Sequence, residues 1–182
     1  MINWIRDFDS AKEIARKNGK PILLQFRKEN CSGCQKMNET TYKNVNVIDK
    51  INNNFIPLKL DIIKDKEGRR TYPAFWTPSF YFVDYSGKLF YSIDGYLNSE
   101  DFLVILNIGY ARIMLTKGKY NEVFEILKQT IDSFPNNPSI PAIYMLKAQT
   151  YFLINRKRDD FLNMLNEIVT LFPNSLEARQ IE

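Results

Sequence analysis

Residues 22–34 read Ile22-Leu-Leu-Gln-Phe-Arg-Lys-Glu-Asn-Cys-Ser-Gly-Cys34, and this stretch decides the fold. Its first five residues form a short apolar run, which predicts a buried strand. The two cysteines follow on a loop that leads into the next predicted helix. A strand, a Cys-x-x-Cys pair and a helix in this order predict an α/β domain with Cys31 at the helix N-terminus.

Cys31 and Cys34 are the only two cysteines among 182 residues, and the sequence contains no histidine. A Cys-x-x-Cys pair is half of a zinc site, a structural staple or a redox couple. Structural zinc takes four ligands, nearly always Cys or His, so only carboxylates would complete such a site within one chain. A staple across so short a loop restrains little of the unfolded chain. The pattern therefore favours a redox-active disulfide, with no metal and no further cofactor.

The two cysteines are predicted to have different roles. A dithiol couple needs one thiolate that attacks and a second thiol that resolves the mixed disulfide. Unpaired backbone N–H groups at a helix start favour the thiolate of Cys31, and we expect the nearby Arg27, Lys28 and Lys36 to act in the same direction. Cys31 is therefore the predicted catalytic nucleophile, and Cys34 is the predicted buried resolving cysteine.

Charge and hydropathy exclude two classes of partner. The net charge of +4 is mild, and the only basic run is Arg156-Lys-Arg158, so we expect no nucleic-acid partner. No apolar run approaches the ~20 residues of a membrane helix, so we expect no membrane insertion. The first residues show no signal peptide, which predicts a cytoplasmic protein. A leader removed beforehand would instead make the protein periplasmic or exported.

The first part of the chain alternates predicted helices and strands. Residues 10–13 read Ser-Ala-Lys-Glu, a capping box that predicts the start of a helix. Residues 55–60 predict a strand, and Pro57 within it indicates a sheet edge or a strand start. Residues 79–83 and 89–93 predict a hairpin around a Gly-containing turn.

Aromatic side chains are expected in the core, with one exception. The expected core aromatics are Trp4, Phe8, Tyr72, Phe75, Phe80, Tyr81 and Phe82. Trp76 directly precedes Thr77-Pro78, and it is a candidate for a hydrophobic substrate-binding surface beside the sulfurs.

The second part of the chain is predicted to be helical and repetitive. Leu127, Ile131, Phe134, Pro135 and Asn136 recur 38 residues later as Leu165, Val169, Phe172, Pro173 and Asn174. This pattern predicts two helical hairpins with a shared ending. The predicted domains are residues 1–108 and residues 109–182.

Residues 3–108 resemble the thioredoxin fold, a central mixed sheet flanked by helices. The resemblance is carried by the strand at residues 22–26, by Cys31-Ser-Gly-Cys34, by Thr77-Pro78 at a strand start, and by Gly87 and Gly95. It is closer to bacterial thioredoxin-like proteins, on Cys34-Gln-Lys-Met37, Tyr42 and the segment 54–61. In that family the proline at the position of Pro78 is cis, faces the sulfurs and holds the substrate chain. The resemblance thus implies substrate binding at Thr77 and Pro78.

Three departures from the thioredoxin pattern fall where reactivity is tuned. Gln25 stands at the position of the buried Asp that helps deprotonate the resolving cysteine, and an amide cannot carry that proton. Asn30 stands at the position of a Trp. Ser32-Gly33 replaces Gly-Pro, and Gly33 is expected to loosen the first helical turn.

Residues 109–182 resemble tetratricopeptide repeats, with Ala111, Tyr120, Pro135 and Pro173 at fitting positions. Val123 and Phe161 stand where a small residue is expected, so the packing should be more open. Two such repeats cannot bury their apolar faces alone. We expect them to dock on the first domain, on a second copy or on a protein partner.

The sequence supports two functional hypotheses. The first is a thiol–disulfide oxidoreductase that acts on protein or peptide disulfides through Cys31 and Cys34, with an unidentified reductant or oxidant as redox partner. The alternative is a non-catalytic adaptor whose helical tail recruits a protein partner, with the cysteine pair as a redox switch.

Overall fold

The computed structural model describes residues 1–181. The helices in this range are α1 (Phe8–Asn18), α2 (Ser32–Glu39), α3 (Val45–Asn54), α4 (Lys66–Thr71), α5 (Ser99–Thr116), α6 (Tyr120–Ser133), α7 (Ile140–Asn155), α8 (Arg158–Leu171) and α9 (Leu176–Ile181). The strands are β1 (Ile22–Arg27), β2 (Ile56–Asp61), β3 (Ser79–Val83) and β4 (Leu89–Asp94), and a 3-10 turn lies at Thr41–Lys43.

The four strands form one mixed sheet in the order β2-β1-β3-β4. β1 runs parallel to β2 and antiparallel to β3, and β3 forms the predicted antiparallel hairpin with β4. Pro57 lies in β2 at one edge of the sheet, as its missing N–H requires. The predicted α/β class with a central mixed sheet flanked by helices is confirmed.

Helix α1 covers one face of the sheet, where Ala11 and Ala15 are fully buried. The capping box predicted at residues 10–13 is wrong. The Ser10 N–H donates a 2.7 Å hydrogen bond to the carboxylate of Asp7, which has an extended backbone, so the helix begins earlier, at Phe8. Aspartate is a strong N-cap because its carboxylate satisfies a free N–H of the first turn.

The opposite face of the sheet packs against aromatic side chains from α5 and from the end of α3. The rings of Phe80 and Phe102 lie 4.9 Å apart, and those of Phe55 and Phe82 lie 5.7 Å apart. Gly109 of α5 sits so close to Phe82 that any Cβ there would overlap its ring. This close approach explains a glycine inside a long helix, where it otherwise costs about 1 kcal/mol.

The chain divides into two compact units between Ile113 and Met114, within α5. The first unit contains the sheet and helices α1 to α4. The domain boundary expected at residue 108 stays a prediction. In residues 1–181, none of the helices combines the length and apolar character that a bilayer crossing needs.

The second unit shows the internal repeat in its backbone. Helices α6 and α8 each have 14 residues, and their bounds are offset by 38 residues. Each is capped by a phenylalanine with nearly the same conformation, Phe134 (φ −134°, ψ 51°) and Phe172 (φ −132°, ψ 54°). The Phe161 ring packs 5.2 Å from that of Phe152 in α7, so a contact between large rings occupies the position where a small residue was expected.

Candidate active site

The loop after β1 brings Cys31 to the start of α2. Asn30 has a left-handed backbone (φ 57°), which asparagine adopts more readily than most non-glycine residues. Cys31 is the N-cap of α2, and its Sγ accepts a hydrogen bond from the Cys34 N–H at 3.0 Å. The sulfur thus occupies the place that a serine or aspartate oxygen takes in an ordinary N-cap.

Cys31 and Cys34 form a disulfide. The Cys31 side chain is partly exposed, whereas Cys34 lies one turn into the helix and is 6% exposed. This difference is the one that the proposed roles need, because an external substrate reaches the exposed sulfur first.

The Thr77–Pro78 segment closes over the disulfide. Its peptide bond is cis, as expected. The Thr77 carbonyl oxygen lies 3.3 Å from Cys31 Sγ, so this segment contacts the Cys31 sulfur directly. A Cβ at position 33 would lie 2.8 Å from Cδ of Pro78. Gly33 is therefore needed for the close approach of Pro78, a steric role that the expected loosening of the helix did not include.

A groove of about 680 Å³ opens beside Cys31. Its lining residues are Lys28, Asn30, Cys31, Ser32, Ile62, Ile63, Arg69, Pro73, Ala74, Phe75, Trp76 and Thr77. Trp76 lines the groove at 67% exposure, where the sequence placed a candidate hydrophobic surface.

Phe75 was expected in the core, and that expectation is wrong. Its side chain is 90% exposed and lines the groove beside Trp76. β3 begins only at Ser79, so residues 75–77 precede the sheet and no strand pairs with them. The neighbouring Tyr72 and Ala74 do turn inward, and the Tyr72 hydroxyl donates a 2.6 Å hydrogen bond to the Gly87 carbonyl.

The three cations expected near the thiolate have different surroundings. Lys28 lines the groove. Arg27 instead lies 3.6 Å from the Asp61 carboxylate, and Lys36 Nζ lies 4.2 Å from the centre of the Tyr96 ring. Arg69, which the sequence analysis did not single out, is the second cation of the groove. Whether Arg27, Lys28 and Lys36 together favour the Cys31 thiolate stays a prediction.

Gln25 is buried in β1 at 1% exposure. Its side-chain oxygen accepts a 2.8 Å hydrogen bond from the Tyr42 hydroxyl, and burial raises the pKa of Tyr42 well above its ordinary value. The pair is therefore neutral near pH 7. Tyr42 is part of the family resemblance, but no local sequence pattern predicts its contact with Gln25.

Among residues 1–181, no group of three or more His, Cys, Asp or Glu side chains is placed to hold a metal ion. Ser32 and Asn30 both line the groove, beside the reactive sulfur.

The sequence profile of the thioredoxin-like domain family matches residues 8–108. The chain belongs to this family. It is 26% identical over 105 residues to the thiol:disulfide interchange protein DsbD of Campylobacter jejuni (strain RM1221), a match that covers 56% of this chain and 18% of that protein. The chain thus spans less than a fifth of the length of this curated relative.

Solved structures show the same fold. A thioredoxin from Thermus thermophilus superposes with a TM-score of 0.52 at 24% identity, covering 58% of this chain and 84% of that one. The DsbH oxidoreductase superposes with a TM-score of 0.53 at 17% identity, covering 60% of this chain and 84% of that one.

Proposed function

We propose that this thioredoxin-like protein is a thiol–disulfide oxidoreductase that acts on disulfides or thiols of protein and peptide substrates. The observation that carries this proposal is the disulfide at the start of α2. Its partly exposed sulfur, Cys31, faces an open groove, and its second sulfur, Cys34, is buried. Membership of the thioredoxin-like family supports the proposal, as does similarity to a protein named for thiol:disulfide interchange.

The reductive direction of the reaction takes two steps. The Cys31 thiolate attacks a substrate disulfide, which forms a mixed disulfide and releases one substrate thiolate. Cys34, after losing its proton, then attacks Cys31 Sγ, so that the second substrate thiolate leaves and the Cys31–Cys34 disulfide forms. Two electrons pass from the enzyme to the substrate, and an external dithiol must restore them. The oxidative direction is the reverse, with an external disulfide as the oxidant.

The geometry at Cys31 favours the thiolate that begins this sequence. The Cys34 N–H points at Sγ, and hydrogen bonds to a charged sulfur stabilise it more strongly than bonds to a neutral one. The N-terminal end of the helix dipole adds to this effect. Lys28 and Arg69 contribute positive charge to the same groove.

We assign substrate binding to Thr77, Pro78 and Trp76. Thr77 contacts the attacking sulfur, and Pro78 packs on the first turn of α2. Trp76, together with Phe75, offers exposed aromatic surface beside the sulfur. A substrate with an apolar side chain near its cysteine would cover this surface.

We assign tuning roles to Gln25, Asn30, Ser32 and Gly33. Gln25 cannot accept the proton of Cys34, which makes the resolving step slower and less dependent on pH than with a carboxylate. Asn30 adopts the left-handed backbone of the turn before Cys31, and Ser32 lines the groove. Gly33 has no Cβ, which allows Pro78 to approach the helix closely.

Reduction of the insulin disulfides by dithiothreitol tests this function. Wild-type protein should accelerate the reaction, and Cys31→Ser should remove the acceleration. Ser133→Ala is the control, because Ser133 is exposed, lies outside the groove and leaves both cysteines in place. The proposal would be contradicted if the wild type accelerated neither insulin reduction nor the glutathione-dependent oxidation of a reduced peptide.

A second candidate function is an adaptor that uses the helical tail. The tail contains a cavity of about 500 Å³ lined by Met145, Gln149, Phe161, Leu162, Leu165, Asn166, Gln180 and Ile181. Its apolar residues offer a site for a protein partner or a second copy of the chain. Sedimentation of the purified protein distinguishes self-association through the tail from a monomer. The adaptor hypothesis further predicts that the double variant Cys31→Ser/Cys34→Ser binds any such partner like the wild type. Under either function we propose a cytoplasmic location, which cell fractionation would test.

A further inference from the structure

A second cavity of the thioredoxin-like unit, about 670 Å³ in volume, shares no lining residue with the groove at Cys31. It is lined by Met1, Ile2, Trp4, Arg6, Arg27, Asn38, Tyr42 and Lys59, and we call it the basic cavity. Three of these side chains are cationic and none is acidic.

Strand pairing brings the three cations together. Ile5 forms a parallel bridge with Leu58, in which Ile5 N–H bonds to the Pro57 carbonyl at 2.8 Å and Lys59 N–H to the Ile5 carbonyl at 2.9 Å. Ile5 packs against the core that includes Leu58. Side chains alternate along an extended chain, so Trp4 and Arg6 fall on the opposite face, with Lys59.

Lys59 is an unusual lysine because it is 7% exposed and has no acidic partner among residues 1–181. Within residues 1–181, neither Lys59 nor Arg6 has a carboxylate oxygen within 4 Å, whereas Arg27 has Asp61 at 3.6 Å. The Lys59 ammonium lies 4.2 Å from the centre of the Trp4 ring and 4.9 Å from that of Tyr42. The rings partly compensate for the lost water, although a buried cation normally needs an opposite charge.

These surroundings also affect the pKa of Lys59. Burial, and then the positive charges of Arg6 and Arg27, lower the pKa of Lys59 to about 8. An anion placed in the basic cavity would reverse this destabilisation, because it would neutralise the mutual repulsion of the three cations.

We propose that the basic cavity binds a small ligand that carries a phosphate group. Three cations, of which one is already balanced by Asp61, leave a charge of about +2, which matches the −1.5 to −2 of a phosphate monoester at pH 7. A carboxylate would balance only one of these charges. Guanidinium groups bind phosphate through paired hydrogen bonds, and Arg6 and Arg27 approach the cavity from two different segments. The rings of Trp4 and Tyr42 offer aromatic surface for an organic part of the ligand.

The positions of the two tryptophans allow a site-specific assay. Trp4 lines the basic cavity and Trp76 lines the groove at Cys31, so the variant Trp76→Phe keeps Trp4 as its single tryptophan. The fluorescence of this variant is titrated with phenyl phosphate and inorganic phosphate. Benzoate is the carboxylate counterpart, and sodium chloride at equal ionic strength is the control for screening.

We expect saturable binding of phenyl phosphate. In the same background, Arg6→Gln should weaken it by about tenfold, the loss of roughly one charge-assisted contact. Lys59→Met should weaken it similarly. Arg16→Gln removes an exposed cation of α1 outside the cavity, and it should leave the dissociation constant unchanged.

Three results would overturn the proposal: a response that sodium chloride reproduces, binding of benzoate as tight as that of phenyl phosphate, or an unchanged dissociation constant in Arg6→Gln. Arg6 is exposed, so its replacement should leave the fold intact, which circular dichroism verifies.

Discussion

Two cavities of nearly equal volume, about 680 and 670 Å³, open on the same thioredoxin-like unit, yet their linings differ in kind. The groove holds a sulfur at a helix start, beside exposed aromatic rings. The basic cavity holds three cations and no cysteine. The groove is therefore suited to thiol–disulfide exchange, and the basic cavity is suited to binding an anion.

The difference teaches that a helix N-terminus and the pairing of distant strands supply different chemistry on one fold. In the proposed mechanism, the Cys31 thiolate is favoured by backbone N–H groups at the start of α2, which is a local effect. The pKa of Lys59 is lowered first by burial and then by Arg6 and Arg27, which come from distant parts of the sequence and meet through strand pairing. The two sites share no lining residue, so mutations should separate their functions.

The largest expected effect is the loss of catalysis in Cys31→Ser. Because this variant has no cysteine thiol in the groove, insulin reduction in its presence should proceed at the uncatalysed rate. Phenyl phosphate binding in the basic cavity should be unaffected, since Cys31 does not line it. Insulin turbidity and Trp4 fluorescence in the Trp76→Phe background measure the two outcomes. Loss of both activities would show that the sites are not independent.

Gly33→Ala should damage the groove while leaving the basic cavity intact. Its new Cβ would lie 2.8 Å from Pro78 Cδ, an overpacking that typically costs about 1–3 kcal/mol. Urea denaturation should show this decrease in the free energy of unfolding, and insulin reduction should slow. Ser133→Ala, at an exposed position outside the groove, is the control. Unchanged stability in Gly33→Ala would mean that Pro78 moves away at no cost.

Lys59→Met should change the pH dependence of stability. The pKa of Lys59 is about 8 in the folded chain and close to its ordinary 10.5 when unfolded, so the unfolded chain binds more protons between these values. The free energy of unfolding therefore rises with pH in this window. From pH 7.5 to 9.5 the wild type should gain about 2 kcal/mol relative to Lys59→Met.

Urea denaturation in phosphate-free buffer measures this gain. Tyr42 keeps its proton across the window, because burial raises its pKa. Parallel pH profiles of the wild type and Lys59→Met would contradict the assigned environment of Lys59.

Gln25→Asp should raise turnover by a smaller factor, a few-fold, because a carboxylate can accept the proton of Cys34. The new side chain lies beside Lys59 in the register of β1 and β2, which offers it an opposite charge. Steady-state kinetics at several pH values measures the effect. The same turnover in a folded variant would show that another group or water takes the proton.

The local features of the fold were predictable, because short sequence patterns determine them. The run before the cysteines predicts β1, and the turn after residue 83 predicts the hairpin. The 38-residue recurrence predicts the matched ends of α6 and α8. Each of these depends on neighbours within a few residues or on a direct repeat.

The missed features depend on contacts over long sequence distances or on side-chain direction. Phe75 has the sequence context of a core aromatic, but β3 begins only at Ser79, so Phe75 lies outside the sheet and is exposed. The ion pair of Arg27 with Asp61 depends on the pairing of β1 with β2, which no pattern around residue 27 shows. The basic cavity forms only where residues near positions 5, 27 and 59 come together, and no local sequence pattern predicts this contact.

Trapping of the mixed disulfide tests the central claim most directly. Cys34→Ser removes the resolving thiol, so the reduced variant should accumulate an adduct with a disulfide-containing peptide. Mass spectrometry should locate that adduct on Cys31. The matched variant Cys31→Ser should form little adduct, because Cys34 is buried. Equal or faster adduct formation at Cys34, or no adduct in either variant, would contradict an oxidoreductase with Cys31 as its nucleophile.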